Sequence, residues 1–385
     1  MLNRVIAARL KKAKKSLLLL GARQVGKTTL IRSLPLKRWI NLADESLYFA
    51  YAKDPARLIR EIKAMREGGI IAIDEIQRVP KLLNSVQVLV DENPSHTFIL
   101  TGSSARKLKR GQANLLPGRI ILEYLDPLMI REIGPSFDLE RALHIGCLPG
   151  VYLDVDHGAD ILETYATTYL REEIQSEAIV RDVGTYSRFL DVAAQASGQW
   201  INYSKLASDS EIPKETIRRF FTILDDTLVA FCIKPFSPRQ NPRRVSQRDR
   251  YVLFDIGVRN AVLGIHRNTL APTERGALFE QLIILQCAYF NRAFRKGWRL
   301  SAYRTESGAE VDLVIETHKE LIGIECKSSK NIRESDLSGL RSLETIAHLP
   351  IKKYVVFLGS ERELFSKGEV AIPYQDFLLN ELDRF

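Results

Sequence analysis

Cysteine is scarce. The 385 residues hold four, Cys147, Cys232, Cys287 and Cys326. No two are close in sequence, so no CxxC metal or redox spacing exists. A disulfide framework is not expected in a chain this long with so few thiols. Long apolar runs are also lacking. The longest near the start is Ser16-Leu17-Leu18-Leu19-Leu20, far short of a membrane span. Residues 1–15 carry four lysines and two arginines, but no signal-peptide core or cleavage site follows. Internal repeats and low-complexity tracts are missing too. Together these absences lead us to expect a cytoplasmic protein with no membrane contact.

What is present is ordinary for a globular chain. Hydrophobic residues make up 45% and charged residues 27%, which excludes a wholly disordered or collagen-like polymer. The length predicts two or three domains, each able to bury a core. The net charge is +9, and its distribution is uneven. Residues 1–135 carry 24 Lys and Arg against 12 Asp and Glu, a balance of +12. The middle third, 136–270, comes to −2 and the last, 271–385, to −1. A basic surface favours polyanions: nucleic acid, nucleotides or acidic membrane.

The first third carries nucleotide chemistry. Residues 16–20 have the length of a buried strand and run into Gly21-Ala22-Arg23-Gln24-Val25-Gly26-Lys27-Thr28-Thr29. This matches the phosphate-loop pattern GxxxxGK[ST], and a helix-forming stretch follows, as the motif requires. The glycines let the backbone wrap a phosphate, and the helix N-terminus aims N–H groups at it. Lys27 is expected on the β- and γ-phosphates of a nucleotide and Thr28 on Mg²⁺. A second apolar run, Ile70–Ile73, ends in Asp74-Glu75. An acidic pair at the end of a buried parallel strand lies in the ligand crevice of an α/β sheet. Asp74 is expected to hold Mg²⁺ and Glu75 to orient the attacking water. A third strand, Thr97–Leu100, ends in Thr101-Gly102-Ser103-Ser104; these hydroxyls either meet the γ-phosphate or cap the next helix. Arg106, Lys107, Lys109 and Arg110 follow, then Leu116-Pro-Gly-Arg119 and a strand at Ile120–Leu125. Arg119, just before that fifth strand, is placed to reach a neighbouring subunit's nucleotide.

GARQVGKTTL, IIAIDEIQRVP, FILTGSS and LPGR resemble the prokaryotic AAA+ ATPases that carry a C-terminal domain of unknown function. The resemblance continues through YLREEI, FLDVAAQASGQWINYSKLA and DRYVLFDIG, so it spans nearly the whole chain. It implies ATP binding and hydrolysis in a homo-oligomer, a hexameric ring being one form. Gly21, Gly26, Lys27 and Thr28 match the family's phosphate loop, and Asp74 and Glu75 its Mg²⁺ and water pair.

Residues 1–135 are thus expected to be an AAA+ core and 136–184 a lid and connector, with Arg171 either a nucleotide sensor or a surface ion-pair partner. From 185 to 270 the pattern changes to helix, short helix, turn and longer helix, with Ile217, Phe220, Phe221 and Leu224 at core spacing. Two strand-like segments, Val229–Lys234 and Arg250–Phe254, flank a loop rich in arginine. This predicts a winged helix. In the DNA reading, Lys214, Arg218 and Arg219 approach a major groove while Arg239, Arg243, Arg244 and Arg248 of the wing grip backbone. In the other reading the same module makes protein contacts.

The last segment, 271–385, begins with a largely apolar helix carrying Glu280. A hairpin follows, Glu310–Glu316 and Leu321–Lys327. With His318-Lys319 as a two-residue turn, paired positions sum to 637, so Asp312 lies opposite Glu325. Opposed residues share a face with Cβ atoms about 5 Å apart, and Lys327 shares it too. Val311, Leu313, Ile315, Ile322, Ile324 and Cys326 are expected on the other face, as core. Two such carboxylates can share a Mg²⁺, with Lys327 positioning or deprotonating water. The pattern resembles the PD-(D/E)XK nuclease superfamily; Glu280, Asp312, Glu325 and Lys327 match its motif, while Val311 stands where that motif has proline. The expected class is therefore α/β: a P-loop AAA+ ATPase domain, a winged-helix-like domain and a restriction-endonuclease-like α/β domain. Two functions stay open: an ATP-driven enzyme acting on DNA, or an ATPase switch for a protein partner that keeps the nuclease fold as scaffold.

Overall fold

A computed structural model describes residues 3–92, 95–103, 118–170, 183–236 and 248–385. Chain contacts divide it into two compact units, residues 1–127 with 226–229, and residues 128–225 with 230–385.

The first unit is built on a five-stranded parallel sheet. Its strands are β1 (Ser16–Leu20), β2 (Leu36–Asn41), β3 (Gly69–Asp74), β4 (His96–Gly102) and β5 (Ile120–Tyr124). They are ordered β2-β3-β4-β1-β5. Every residue of β1 is buried and all but the first of β3, as continuous apolar runs in a parallel sheet require. Leu18, Leu20, Ile71, Ile73, Phe98 and Leu100 pack with Tyr51, Leu58, Ile62, Val86 and Leu89 from the helices Glu45–Lys53, Ala56–Lys63 and Leu82–Glu92. The chain leaves β1 for β2 at the far edge, so β1 is a topological switch point. Ligands of open α/β sheets bind there, beyond the C-terminal strand ends.

The second unit holds an eight-stranded sheet of order β12-β13-β11-β10-β9-β8-β6-β7. Its strands are β6 (Ala230–Pro235), β7 (Arg250–Leu253), β8 (Arg299–Arg304), β9 (Glu310–Glu316), β10 (Leu321–Lys327), β11 (Ile351–Phe357), β12 (Glu363–Leu364) and β13 (Glu369–Pro373). Three helices, Val183–Gln195, Tyr203–Ser210 and Lys214–Asp226, precede it. Tyr186, Phe189, Phe220 and Phe221 form their aromatic core, with ring centres 5.0–5.6 Å apart.

Two sequence expectations need correction. The strands assigned to a separate wing do not stand alone. β6 pairs in parallel with β8 through Lys234↔Ser301 and Pro235↔Ala302, so they extend the C-terminal sheet. Burial explains this: β7 is buried throughout and must be covered. The second concerns the alternation of β9. Its register with β10 sums to 637 over Leu321↔Glu316 to Ile324↔Leu313. Against β8, however, the register shifts between Tyr303↔Val311 and Ser301↔Val314. Asp312 and Leu313 thus oppose the single Ala302, a β-bulge. Val311 consequently shares a core with Val314, Leu337, Leu340 and Leu343, rather than with its expected face-mates. A bulge re-aims one side chain, and here that side chain is Asp312.

Candidate functional sites

The first site lies at the C-terminal edge of the parallel sheet. Gly21 follows β1 directly. A Cβ there would stand 2.2 Å from the Leu125 carbonyl oxygen, so only glycine lets the loop pass so close to the chain after β5. Gly26 caps the helix Lys27–Arg32 at φ 94°, a left-handed conformation that favours glycine. Gln24 is also left-handed, at φ 63°. Val25 and Ala22 are buried, while Gln24, Thr28 and Thr29 are exposed. Lys27 is buried, and its Nζ donates to the carbonyls of Gly21 and Ala22, each at 2.9 Å.

The register brings the other strand ends to the same edge. Leu20 pairs with Gly102, and Ile73 with Leu100. The Thr28 hydroxyl donates to Asp74 Oδ2 at 2.7 Å, and the Thr101 hydroxyl donates to Asp74 Oδ1. The two expected Mg²⁺ ligands therefore touch. They form an oxygen-only donor set, which suits a hard cation. Glu75 sits just past β3 with φ 60°, and its N–H donates to Thr101 Oγ1 at 3.0 Å. A left-handed glutamate is uncommon, and such conformations gather at functional sites. It takes Glu75 off the line of the strand. Its carboxylate accepts a hydrogen bond from Gln77 Nε2, which also lies 3.4 Å from the buried Ser103 Oγ. Gln77 was not singled out by sequence; the only signal was its position two residues beyond the acidic pair.

Arg119 stands elsewhere. β5 begins at Ile120, which pairs with Ser16 at the start of β1. Arg119 is therefore at the opposite edge of the sheet from its own phosphate loop. Its side chain is exposed and pairs with Asp91 at 2.6 Å.

The second site lies in the C-terminal sheet. Glu280 comes from the helix Pro272–Ala293, Asp312 from the bulge of β9, and Glu325 and Lys327 from the end of β10. Asp312 Oδ2 accepts from the Cys326 N–H at 2.8 Å. Burial holds its carboxyl well above the ordinary range, and Glu280 adds to this by charge and by a hydrogen bond. Arg250 of β7 counters them. Its side chain is almost wholly buried, pairs with Glu280 and donates to the Asp312 carbonyl at 3.1 Å. Lys327 Nζ donates to Glu325 Oε1 at 2.7 Å and lies 3.9 Å from Asp336. Glu325 Oε2 is buried with no hydrogen-bond partner among the described residues. Burial and Asp312 push the Glu325 carboxyl up to about 8. Burial works against the Lys327 charge, but Glu325 outweighs it and raises this group. All four expected residues thus meet in one place. Among the described residues no three or more His, Cys, Asp or Glu form a group that could hold a metal ion. Arg250 is the member that sequence reading missed, because it looked like one more wing arginine.

Of the basic candidates, Lys214, Arg218, Arg219 and Arg248 are exposed. Arg239, Arg243 and Arg244 lie outside the described residues, as do Ser104, Arg106, Lys107, Lys109, Arg110 and Arg171.

Comparison with known proteins agrees with the first site. Residues 13–134 match the family model described as AAA domain. Residues 136–269 and 275–377 match two domains of unknown function, DUF8612 and DUF4143. The uncharacterized protein Rv2008c of Mycobacterium tuberculosis is 30% identical over 389 residues, covering 98% of this chain and 84% of that one. The chain belongs to the AAA-domain proteins with a C-terminal domain of unknown function. The uncharacterized protein MJ1637 of Methanocaldococcus jannaschii is 25% identical to this AAA protein over 427 residues, covering 95% and 85%. Among solved structures, C. elegans PCH-2 is 14% identical with a TM-score of 0.22, covering 44% of this chain and 46% of its own. Protein VC1899 from Vibrio cholerae is 13% identical with a TM-score of 0.21, covering 90% and 96%. Likeness at that level carries no argument. Among the described residues no helix is long and apolar enough to cross a membrane.

Proposed function

We propose that this AAA protein is a Mg²⁺-dependent ATPase that binds DNA and cleaves it in its C-terminal unit. The observation that carries the ATPase reading is the contact of Thr28 with Asp74 beside the phosphate loop. When bound there, Mg²⁺ neutralises charge on the β- and γ-phosphates. Gly21–Gly26 wraps the phosphates with backbone N–H groups, and Lys27 leaves its loop carbonyls to pair with them. Glu75, steadied by Gln77, accepts a proton from the attacking water. Arg119 serves a neighbouring subunit in a homo-oligomer, because its own loop is at the far edge of the sheet.

For DNA, the reading rests on Lys214, Arg218 and Arg219 of the helix Lys214–Asp226, and on Glu280, Asp312, Glu325 and Lys327. Asp312 and Glu325 suit a shared Mg²⁺ once both carboxyls are ionised, and Lys327 would then turn to the attacking water or the phosphate. The ion pairs Arg250–Glu280 and Lys327–Glu325 favour a second reading. In it the fold is a scaffold, and the ATPase acts as a switch on a protein partner.

The two readings separate in one experiment. ATPase rate is measured with and without duplex and single-stranded DNA in Mg²⁺, and the DNA is run on a gel. Stimulation with cleavage that Asp312→Ala abolishes supports the first. An ATPase indifferent to DNA, with every DNA form intact, supports the second.

A further inference from the structure

One concave surface lies outside both sites. A cleft of about 540 Å³ opens between the helix Lys214–Asp226 and strands β6 and β7. Lys214, Arg218 and Thr222 line one wall. They are spaced by four, so they share one face of their helix. Lys234, Arg248 and Asp249 line the other wall, Tyr203 and Ser204 close one end, and the buried Tyr251 forms the floor. Among the described residues four cations and one acid line the cleft; the acid pairs with Lys234 at 3.1 Å, and Arg218 also pairs with Glu215 at 3.2 Å. The Arg218 guanidinium stands 5.1 Å from the centre of the Tyr203 ring. The guanidinium thus lies over the ring, a cation–π contact that holds its planar group at the cleft.

This shape changes what the helix Lys214–Asp226 can read. A helix that enters a major groove must project from its domain, because the groove is about 12 Å wide. Here the face bearing Lys214 and Arg218 lines a hollow instead. The volume falls in the range of a small-ligand site and admits a nucleotide. Cations that track phosphate, with a planar platform for a base, are the recurring parts of single-strand binding.

From this geometry we infer that the Lys214–Arg218–Lys234–Arg248 cleft holds the sugar-phosphate backbone of single-stranded nucleic acid, with one base against Tyr203 and Arg218. The inference rests on the DNA reading above and replaces its major-groove contact for Lys214 and Arg218.

Fluorescence anisotropy on the full chain tests it. The probes are a labelled ten-nucleotide thymidine strand, a labelled 20-base-pair duplex and unlabelled deoxythymidine 3′,5′-bisphosphate as competitor, over a series of salt concentrations. The variant is Lys214→Gln with Arg218→Gln, both at exposed positions, with its fold checked by circular dichroism melting. The strand is expected to bind at least about tenfold more tightly than the duplex, and the variant to lose about tenfold or more. The slope of log affinity against log salt should fall by about 1.4 for the two lost cations. Duplex binding as tight as that of the strand, with the strand unaffected by the variant, overturns the cleft and leaves the DNA reading standing. Bisphosphate as tight as the strand overturns the strand assignment. No binding of either nucleic acid overturns both.

Discussion

Glu325→Gln should make the protein more stable, and increasingly so as pH rises. Glu325 Oε1 holds Lys327 at 2.7 Å, while Oε2 is buried with no partner among the described residues. Burial first, then Asp312, raises the carboxyl from the usual 4.5 to about 8. Between those two values the folded protein keeps a proton that the unfolded chain has released. Stability therefore falls as pH rises through the window, by up to about 1.4 kcal/mol per pH unit. Over the whole window this approaches about 4 kcal/mol. Glutamine keeps an acceptor for Lys327 and has no proton to lose. Urea unfolding of wild type and variant at pH 5, 6, 7 and 8 measures the difference. The gap should widen in favour of the variant by about 3 kcal/mol from pH 5 to 8, and Mg²⁺ should narrow it by stabilising only the wild type. A gap that stays constant with pH would refute the reasoning, since Glu325 would then be ionised throughout.

Arg250→Met removes the buried cation between Glu280 and the Asp312 strand; leaving the acids uncompensated should cost about 3–5 kcal/mol, read by urea unfolding at pH 8. Part of that loss should return as pH is lowered, because burial holds the Asp312 carboxyl well above its ordinary range and lets it keep a proton. Gln77→Ala frees the Glu75 carboxylate from its side-chain donor; kcat for ATP should fall about tenfold while KM stays within twofold. An equal rise in KM would assign Gln77 to nucleotide binding instead.

The nucleotide site was legible in the sequence because its parts are local. The phosphate loop is one continuous segment, and Asp74-Glu75 closes an apolar run. The hairpin of β9 and β10 was legible too, since a two-residue turn dictates its register. What escaped depended on distant strands. The bulge at Asp312–Leu313 arises from pairing with β8, which periodicity within β9 does not record. Arg250 reads as one more cation in a basic loop, yet β7 buries it against a helix thirty residues on. The hollow beneath Lys214 and Arg218 is likewise made by β6 and β7, so a helical wheel gives the basic face and not what it faces.

We propose that ATP is hydrolysed at the loop Gly21–Thr28. Phosphate release by purified wild type and Lys27→Ala, each with Mg²⁺ and with chelator, tests it most directly. Turnover in the wild type that requires Mg²⁺ and drops by about a hundredfold or more in Lys27→Ala is the predicted result. Equal turnover in the two proteins would contradict the account.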